Sequence, residues 1–370
     1  MLSPLRFIRF TISIRGVIYV TDVKGKVLSD DLFNFCVDVF TKLGVRKKDS
    51  EVVSEHLVLA NLRGVDSHGA FVRIPHYVPA LRQGVINPKP KIRKVKEAAS
   101  VGLIDGDRGF GPVVAMVATE LAIKKAKKSG VCAIGATNMS HVGMLARYTM
   151  EVVESKMIGM AATSSPVMVV PWGGRKPVLG TNPFSIGFPL SDKDSIIVDM
   201  ATSSVSGGKI AVLASKGEKM PEGWALDKYG NPTTDPKVFL DGGMLLPFGG
   251  YKGFGLCLSV EVFSSILTGA PFSVYIKSGW ATQGGFILGV IDVSFFRPYE
   301  EYERDMASLI KMIKTTPPAE GFKEVLLPGE VEKREYAKRI IEGIPVYEDS
   351  WGKVKGVADE LGVPMPTLRQ

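Results

Sequence analysis

Residues 61–77 read NLRGVDSHGAFVRIPHY, and the architecture follows from how this stretch is held. An apolar helical stripe runs into it and stops at Gly64. Asp66, Ser67 and His68 then share one short turn, and Arg73 follows on a second helix. Histidine, with an unperturbed pKa of about 6.5, suits proton transfer near neutral pH. An adjacent hydroxyl can orient the imidazole, and a guanidinium one turn away can grip a carboxylate through two parallel hydrogen bonds. The pattern predicts a reaction at the 2-position of a small 2-oxo or 2-hydroxy acid. The plainer alternative is a capped helix end with a histidine on the surface.

With 370 residues the chain can bury a substantial core, divided over two or three domains. It is 45% hydrophobic and 23% charged, an ordinary globular composition. Cys36, Cys132 and Cys257 lie far apart, each in an apolar run. They make neither a disulfide framework nor a metal-ligand spacing, and they favour a reducing, cytoplasmic setting. His56, His68, His76 and His141 never fall in HxxxH or HExxH, so no metal site is expected.

The net charge is +8. Arg6, Arg9, Arg15, Lys24 and Lys26 against Asp22 alone concentrate half of it in residues 1–28. The remainder is a mild surplus with acids interspersed and no basic stripe bearing aromatics, so no nucleic-acid partner is expected. A reading from another class keeps the basic arm as a polyanion-binding device on a degenerate core. MLSPLRFIRFTISIRGVIYV, the first twenty residues, has arginines every few positions and no A-x-A site, which fits a secretory signal poorly. No run approaches the ~20 apolar residues needed to span a bilayer. The longest candidate, FILGVIDVSFF at 286–296, already contains Asp292. No membrane attachment is expected, and the start reads as a loose arm or an added edge strand.

Ser29 is a candidate cap for a helix over 30–43, with Gly44 as its stop, and Asp49 a candidate cap for the helix entering Gly64–Gly69. His56 falls in that helix's apolar stripe and reads as packing; His76, after Pro75, reads as surface or interface. NPKPKIRKVK within 86–100 reads as an extended linker. A strand over 101–104, a helix near 113–128 opened by Pro112, and a buried strand over 131–136 follow. A helix is expected through 139–156, strands over 158–163, 184–188 and 196–199, and a polar loop over 218–236. An apolar helix over 251–267, a core strand over 284–293 and a charged helix over 300–315 complete the reading. GDRGFG at 106–111 has the spacing G-x-x-G-x-G, reversed from the dinucleotide fingerprint, and no acidic residue follows a second strand about 20 residues on. GGYKGFG at 249–255 fails the same test. A Rossmann domain is therefore not expected, and irregularly mixed strands and helices predict an α+β chain with a mixed sheet.

RGVDSHG, NMSHVG, GTNP, VDMATS, GGYKG and LLPGE occur here in that order, and together they resemble the type-2 malate/L-lactate dehydrogenase family, also called sulfolactate dehydrogenase-like. The likeness runs from about Ser29 to about Pro345. It implies hydride transfer between NAD or NADP and C2 of a small 2-oxo or 2-hydroxy acid, of malate or lactate type. Relatives that reduce cyclic imino acids, or oxidise ureidoglycolate or sulfolactate, are the alternatives. The implied fold is a non-Rossmann, sulfolactate dehydrogenase-like one, with a mostly antiparallel sheet in the cofactor domain and flanking helical domains. The implied division is an arm over 1–28, a helical substrate and dimer side over 29–105 with 300–370, and a cofactor domain over 106–299. The family also implies a cytoplasmic homodimer.

By the same resemblance Ser67 and His68 are the catalytic pair, and Arg73 binds the substrate carboxylate. HGAFVR is one residue longer than the family spacing, so Arg63 is a second candidate for that carboxylate. His141 competes with His68 as the acid–base group, and His141, Val142, Gly143, Met144 and Leu145 border the nicotinamide. Thr181 matches a substrate contact, the alternative being a simple Thr-Asn-Pro turn. Asp199, Met200 and Ala201 fall beside the cofactor. Lys209 stands where the imino-acid reductases carry a relay aspartate, which favours 2-oxo acids and makes Lys209 a candidate anion contact. Lys252 and the turn Pro328, Gly329 and Glu330 complete the cofactor contacts. Lys333 and Arg334 are candidates to meet phosphate, against the alternative of a solvated helix face.

Overall fold

The computed structural model describes residues 23–190, 195–277 and 284–370. Near the amino terminus β1 (Val23–Val27) leads into helices α1 (Ser29–Lys42), α2 (Lys47–Leu62) and α3 (Ala70–Arg82). Next come β2 (Arg93–Glu97), β3 (Val101–Gly109), α4 (Gly111–Ser129), β4 (Val131–Met139), α5 (Ala146–Glu154) and β5 (Met157–Thr163). The chain continues through β6 (Phe184–Phe188), β7 (Ile196–Met200), α6 (Gly207–Lys216), β8 (Ala225–Leu226), β9 (Pro232–Thr233), α7 (Pro236–Leu240), β10 (Met244–Leu245) and α8 (Tyr251–Glu261). It closes with β11 (Phe286–Asp292), α9 (Tyr299–Lys314), α10 (Glu330–Glu342), β12 (Ile344–Tyr347) and α11 (Glu348–Leu361).

The central sheet has the order β2-β3-β4-β11-β5-β6-β7. Only its β3–β4 pair is parallel; the other neighbours are antiparallel. The mixed sheet is thus the one that the irregular alternation predicts. Alternating burial on β5 and β11 turns one set of side chains inward, with Ala161, Phe286, Leu288 and Val290 in the core under α4 and α5. A second core joins the chain's two ends: Leu32, Phe40, Leu57, Ile74 and Tyr77 pack with Ile344 and Val354. A third, smaller core forms around β8–β10, with Val169, Ile210, Phe239 and Cys257.

Several local expectations are corrected. Residues 23–27 of the amino-terminal segment pair antiparallel with β12, an added edge strand; residues 1–22 lie outside the described ones. Leu28, not Ser29, is the cap of α1, and it makes no side-chain cap bond. Arg46 rather than Asp49 precedes α2, and Asp49 sits inside the first turn, where a carboxylate still complements the helix dipole. The lysine-rich linker contains β2, because β3 offers its free edge as a partner. The expected boundary at 105/106 falls inside β3. The helix expected from Met139 begins only at Ala146, since residues 140–145 are held in an irregular course described below. The polar loop of 218–236 contains the short strands β8 and β9. Among the described residues no helix is long and apolar enough to cross a membrane; residues 286–292 of the longest apolar run form β11.

Candidate active site

The turn between α2 and α3 is tied from inside. Asn61, 2% exposed at the end of α2, accepts from the Ala70 amide with Oδ1 at 2.8 Å and donates from Nδ2 to Asp66 Oδ1 at 2.7 Å. A Cβ on Gly69 would lie 2.2 Å from Asn61 Nδ2, so that position has room only for glycine. Held this way, Asp66–His68 forms a single 3-10 turn, and Ser67 Oγ meets His68 Nδ1 at 2.9 Å. Helix α3 then delivers Arg73 and Tyr77, which are 1% and 0% exposed.

A second segment comes from the far side, after β4. The Gly111 amide donates to Ser140 Oγ at 2.9 Å, and a Cβ on Gly111 would lie 2.3 Å from the His141 carbonyl oxygen. Gly111, the last glycine of GDRGFG, therefore lets the start of α4 approach the His141 backbone. Tyr148 Oη donates to the Val142 carbonyl at 2.5 Å, and the Met144 amide donates to His56 Nε2 at 2.9 Å. Gly143 takes a left-handed φ of +75°, and a Cβ there would lie 2.0 Å from His56 Nε2. His56 is buried as expected, but as an acceptor it also shapes the segment beside His141.

The two segments bring His68 and His141 together, their rings stacked at 5.3 Å between centroids and 26° between planes. Tyr77 Oη meets His141 Nδ1 at 3.0 Å. Each ring is gripped at Nδ1 by a hydroxyl, which directs Nε2 to exchange a proton with a ligand. Both histidines are half-buried, so solvent reaches the pair. Burial, then Arg73, then His56 hold His68 well below the usual histidine range. Burial, Arg73 and the other three histidines do the same to His141. His56 is pushed down to about 3 by burial, Arg147 and Arg73, and half-buried His76 to about 4 by burial, Arg73 and Lys353. Burial and the neighbouring Arg73 cation therefore favour the neutral form of both imidazoles.

The remaining candidates sit on other segments of the chain. Asp199 ends β7 and accepts from the Ala146 amide at 3.0 Å. Its side chain is exposed to solvent, yet desolvation by the surrounding protein pushes its carboxyl up to about 7. Arg63 faces Asp199 and Glu332 rather than the imidazoles, and its buried Nε has no hydrogen-bond partner among the described residues. Gly329, at φ +87°, packs against β7: a Cβ there would lie 3.0 Å from the Ile197 carbonyl oxygen. Pro328 and Gly329 thus stand next to the strand that carries Asp199, Met200 and Ala201. The Glu330 carboxylate is engaged by Lys314 Nζ at 2.9 Å and the Leu327 amide at 2.9 Å. Arg334 is paired with Glu324 at 2.6 and 2.8 Å, and half-buried Lys333 lies on the same helix.

Thr181 contacts Ser165 Oγ at 3.1 Å, and its carbonyl accepts from the Thr202 amide at 2.8 Å. The next residue, Asn182, is buried and donates to Glu261 of α8. Lys209 is exposed on α6 with Nζ 5.6 Å from the centre of the Trp224 ring, and Lys252 is exposed on α8. Tyr77, Asn61 and Arg339, a residue of α10 that bonds Asp66, escaped the sequence reading, as did the acceptor role of His56. Tyr77 and Asn61 stood inside the opening stretch, but no spacing shows what their side chains reach.

Together the mixed sheet and the paired imidazoles suit a dehydrogenase. The chain belongs to the malate/L-lactate dehydrogenase family, whose model matches residues 27–355. Malate dehydrogenase of Pyrococcus horikoshii is 39% identical over 355 residues, covering 93% of this chain and 98% of that protein. L-sulfolactate dehydrogenase of Methanocaldococcus jannaschii is 41% identical over 333 residues, covering 88% and 94%. The solved structure of sulfolactate dehydrogenase from that organism matches with a TM-score of 0.87 at 39% identity, over 92% of this chain and 98% of that one.

Proposed function

We propose that this protein is a nicotinamide-dependent 2-hydroxy-acid dehydrogenase of malate or lactate type, with His68 as its acid–base group. The observation that carries the reading is the stacked, half-buried His68–His141 pair beside the fully buried Arg73. Arg73 takes the substrate carboxylate, and its two parallel N–H donors fix the plane of the acid. His68 gives the carbonyl oxygen its proton during reduction and removes the hydroxyl proton in reverse. Ser67 sets the ring's orientation, and Tyr77 does the same for His141. A nicotinamide, when bound, supplies or takes the hydride. An anion on Arg73 offsets one of the causes that depress His68, so arrival of the carboxylate raises the imidazole's basicity at the moment it must carry a proton.

The residues present fit such a cofactor. Gly143 offers bare backbone beside His141, and the accessible Asp199 carboxyl can accept from ribose hydroxyls. His141 to Leu145, Asp199 to Ala201, Lys252, Pro328 to Glu330 and Lys333 would hold it. The mostly antiparallel central sheet supports reading the cofactor as held in a non-Rossmann manner, with the helical chain ends as the substrate side. Helix α8 and the turn after it leave Leu256, Leu258, Phe263, Ile266 and Leu267 exposed at 44–64%, a face that suits a homodimer. Lys209 and Thr181 would reach the substrate from that side. Buried thiols at Cys36, Cys132 and Cys257 suit a cytoplasmic protein.

The test follows reduced-nicotinamide absorbance with pyruvate, oxaloacetate and sulfopyruvate, each with NADH and NADPH. Turnover of at least one 2-oxo acid is expected, and the panel ranks substrate and cofactor. Absence of turnover with every pair overturns the reading.

A further inference from the structure

We infer that Arg339, on α10 near the carboxyl end of the chain, is a positioning residue for the Ser67–His68 turn. The inference rests on the reading of that turn as catalytic. Arg339 Nη1 donates to Asp66 Oδ1 at 2.8 Å and Oδ2 at 3.0 Å, and to the Asn61 carbonyl at 2.6 Å. Its Nε donates to Glu335 Oε2 at 3.0 Å, one turn earlier on the same helix. The Arg339 side chain is 12% exposed and that of Asp66 30%, so the pair is largely shielded from water, unlike most ion pairs in this protein.

Two further observations show that the turn needs this support. A cavity of about 30 Å³ borders it, lined by Asn61, Asp66, Phe71, Tyr347 and Ser350, so packing against the turn is incomplete on that side. The only side chain of α2 bonded to Asp66 is Asn61, through the same Oδ1 that Arg339 binds. Remove the guanidinium and Asp66 keeps one neutral partner, while the residue beside it must still aim an imidazole. Misplacement of a reacting group by about 1 Å can cost on the order of 10²-fold in rate.

Helix α10 also opens at the Pro328–Gly329 turn, which rests on β7 beside Asp199. One helix therefore meets the proposed cofactor contacts at its first residue and the catalytic turn about two and a half turns later. Arg339 touches no reacting atom; it acts through Asp66.

The experiment compares Arg339→Met, Arg339→Lys and Asp66→Asn with wild type, reading kcat, KM for the cofactor and KM for the acid, and melting temperature. Arg339→Met is expected to lower kcat about 10- to 100-fold while KM for the cofactor stays within about twofold. Arg339→Lys should recover part of the loss, since an ammonium keeps the charge but not the fork. Asp66→Asn should lose a similar share, and in the double variant the two losses should not add. Arg82→Gln, which removes the exposed Arg82–Glu360 pair at 2.6 Å, is the control with unchanged turnover. A folded Arg339→Met enzyme with wild-type kcat overturns the inference. If that variant does not fold, a folded Asp66→Asn enzyme with wild-type kcat overturns it instead. Wild-type protein without turnover on any acid overturns the functional reading, and this one with it.

Discussion

The two sides of the proposed cleft are built differently. On the imidazole side polar groups are held from within the chain: Asn61 and Arg339 on Asp66, Ser67 on His68, Tyr77 on His141, and His56 under Met144. On the side of α6 and α8, Lys209 and Lys252 stand exposed, and apolar side chains of α8 face outward. Proton transfer needs groups placed before the substrate arrives, so its machinery is rigid and self-contained. Helices α6 and α8 instead present an exposed surface, of the kind that a ligand or a second subunit can complete.

The largest effect should come from His68→Ala, which is expected to lower kcat by about 10²–10⁴-fold with cofactor affinity nearly intact. His141→Ala is the decisive comparison, because the two rings are stacked and similarly neutral. If His68→Ala keeps wild-type turnover and His141→Ala does not, the acid–base role moves to His141. Arg73→Gln ranks next. Loss of a charge-assisted contact worth about 1.5–3 kcal/mol should raise KM for the acid roughly 10- to 100-fold. Arg63→Gln should spare that constant, since Arg63 faces Asp199 and Glu332. The reverse result would exchange the roles of the two arginines.

How much of this was open to the sequence follows from the range of each interaction. Ser67, His68 and Arg73 sit within one turn and one helix, so spacing alone brings them together. The strand expected over 184–188 coincides with β6. Helix starts were less legible: Leu28 enters α1 with extended backbone, whereas Ser29 is the better capping residue by chemistry. Residues 140–145 looked helical, but Gly111, His56 and Tyr148 claim their backbone groups from elsewhere in the chain. Arg339 lies 273 residues from Asp66, and no local pattern carries a contact of that reach.

Rigidity on the imidazole side can be tested by stability. Gly143→Ala places a methyl where His56 Nε2 stands and forces a residue with a side chain to φ +75°. Overpacking and left-handed strain together should cost about 2–4 kcal/mol, read by chemical denaturation. An unperturbed variant would mean that His56 does not press on this segment.

The histidines make that side sensitive to acid. His56 titrates near 3 in the folded protein against about 6.5 unfolded, and His76 near 4. Both folded values are depressed, so the unfolded chain binds more protons between them and pH 6.5. Stability is complete above about pH 6.5 and falls as pH drops toward 3–4. Asp199 has the opposite sign: its carboxyl is raised to about 7, and its contribution is lost as pH rises from about 4 to 7. Denaturation midpoints measured from pH 4 to 8 should show the acid-side loss shrinking in His56→Gln. An unchanged slope would place the acid sensitivity elsewhere.

The smallest effect probes the open side. Gly208, in the first turn of α6 and next to Lys209, has nothing within 4 Å of where a Cβ would stand, and its φ is not left-handed. Gly208→Ala should therefore stabilise the chain by about 0.5–1 kcal/mol through the helix propensity of alanine. The same variant reports on what fills the space. If Lys209 reaches the substrate, a methyl beside it should raise KM for the acid while the melting temperature rises. If KM stays fixed, the acid is bound by Arg73 without Lys209, and the open side serves the cofactor or the subunit contact alone.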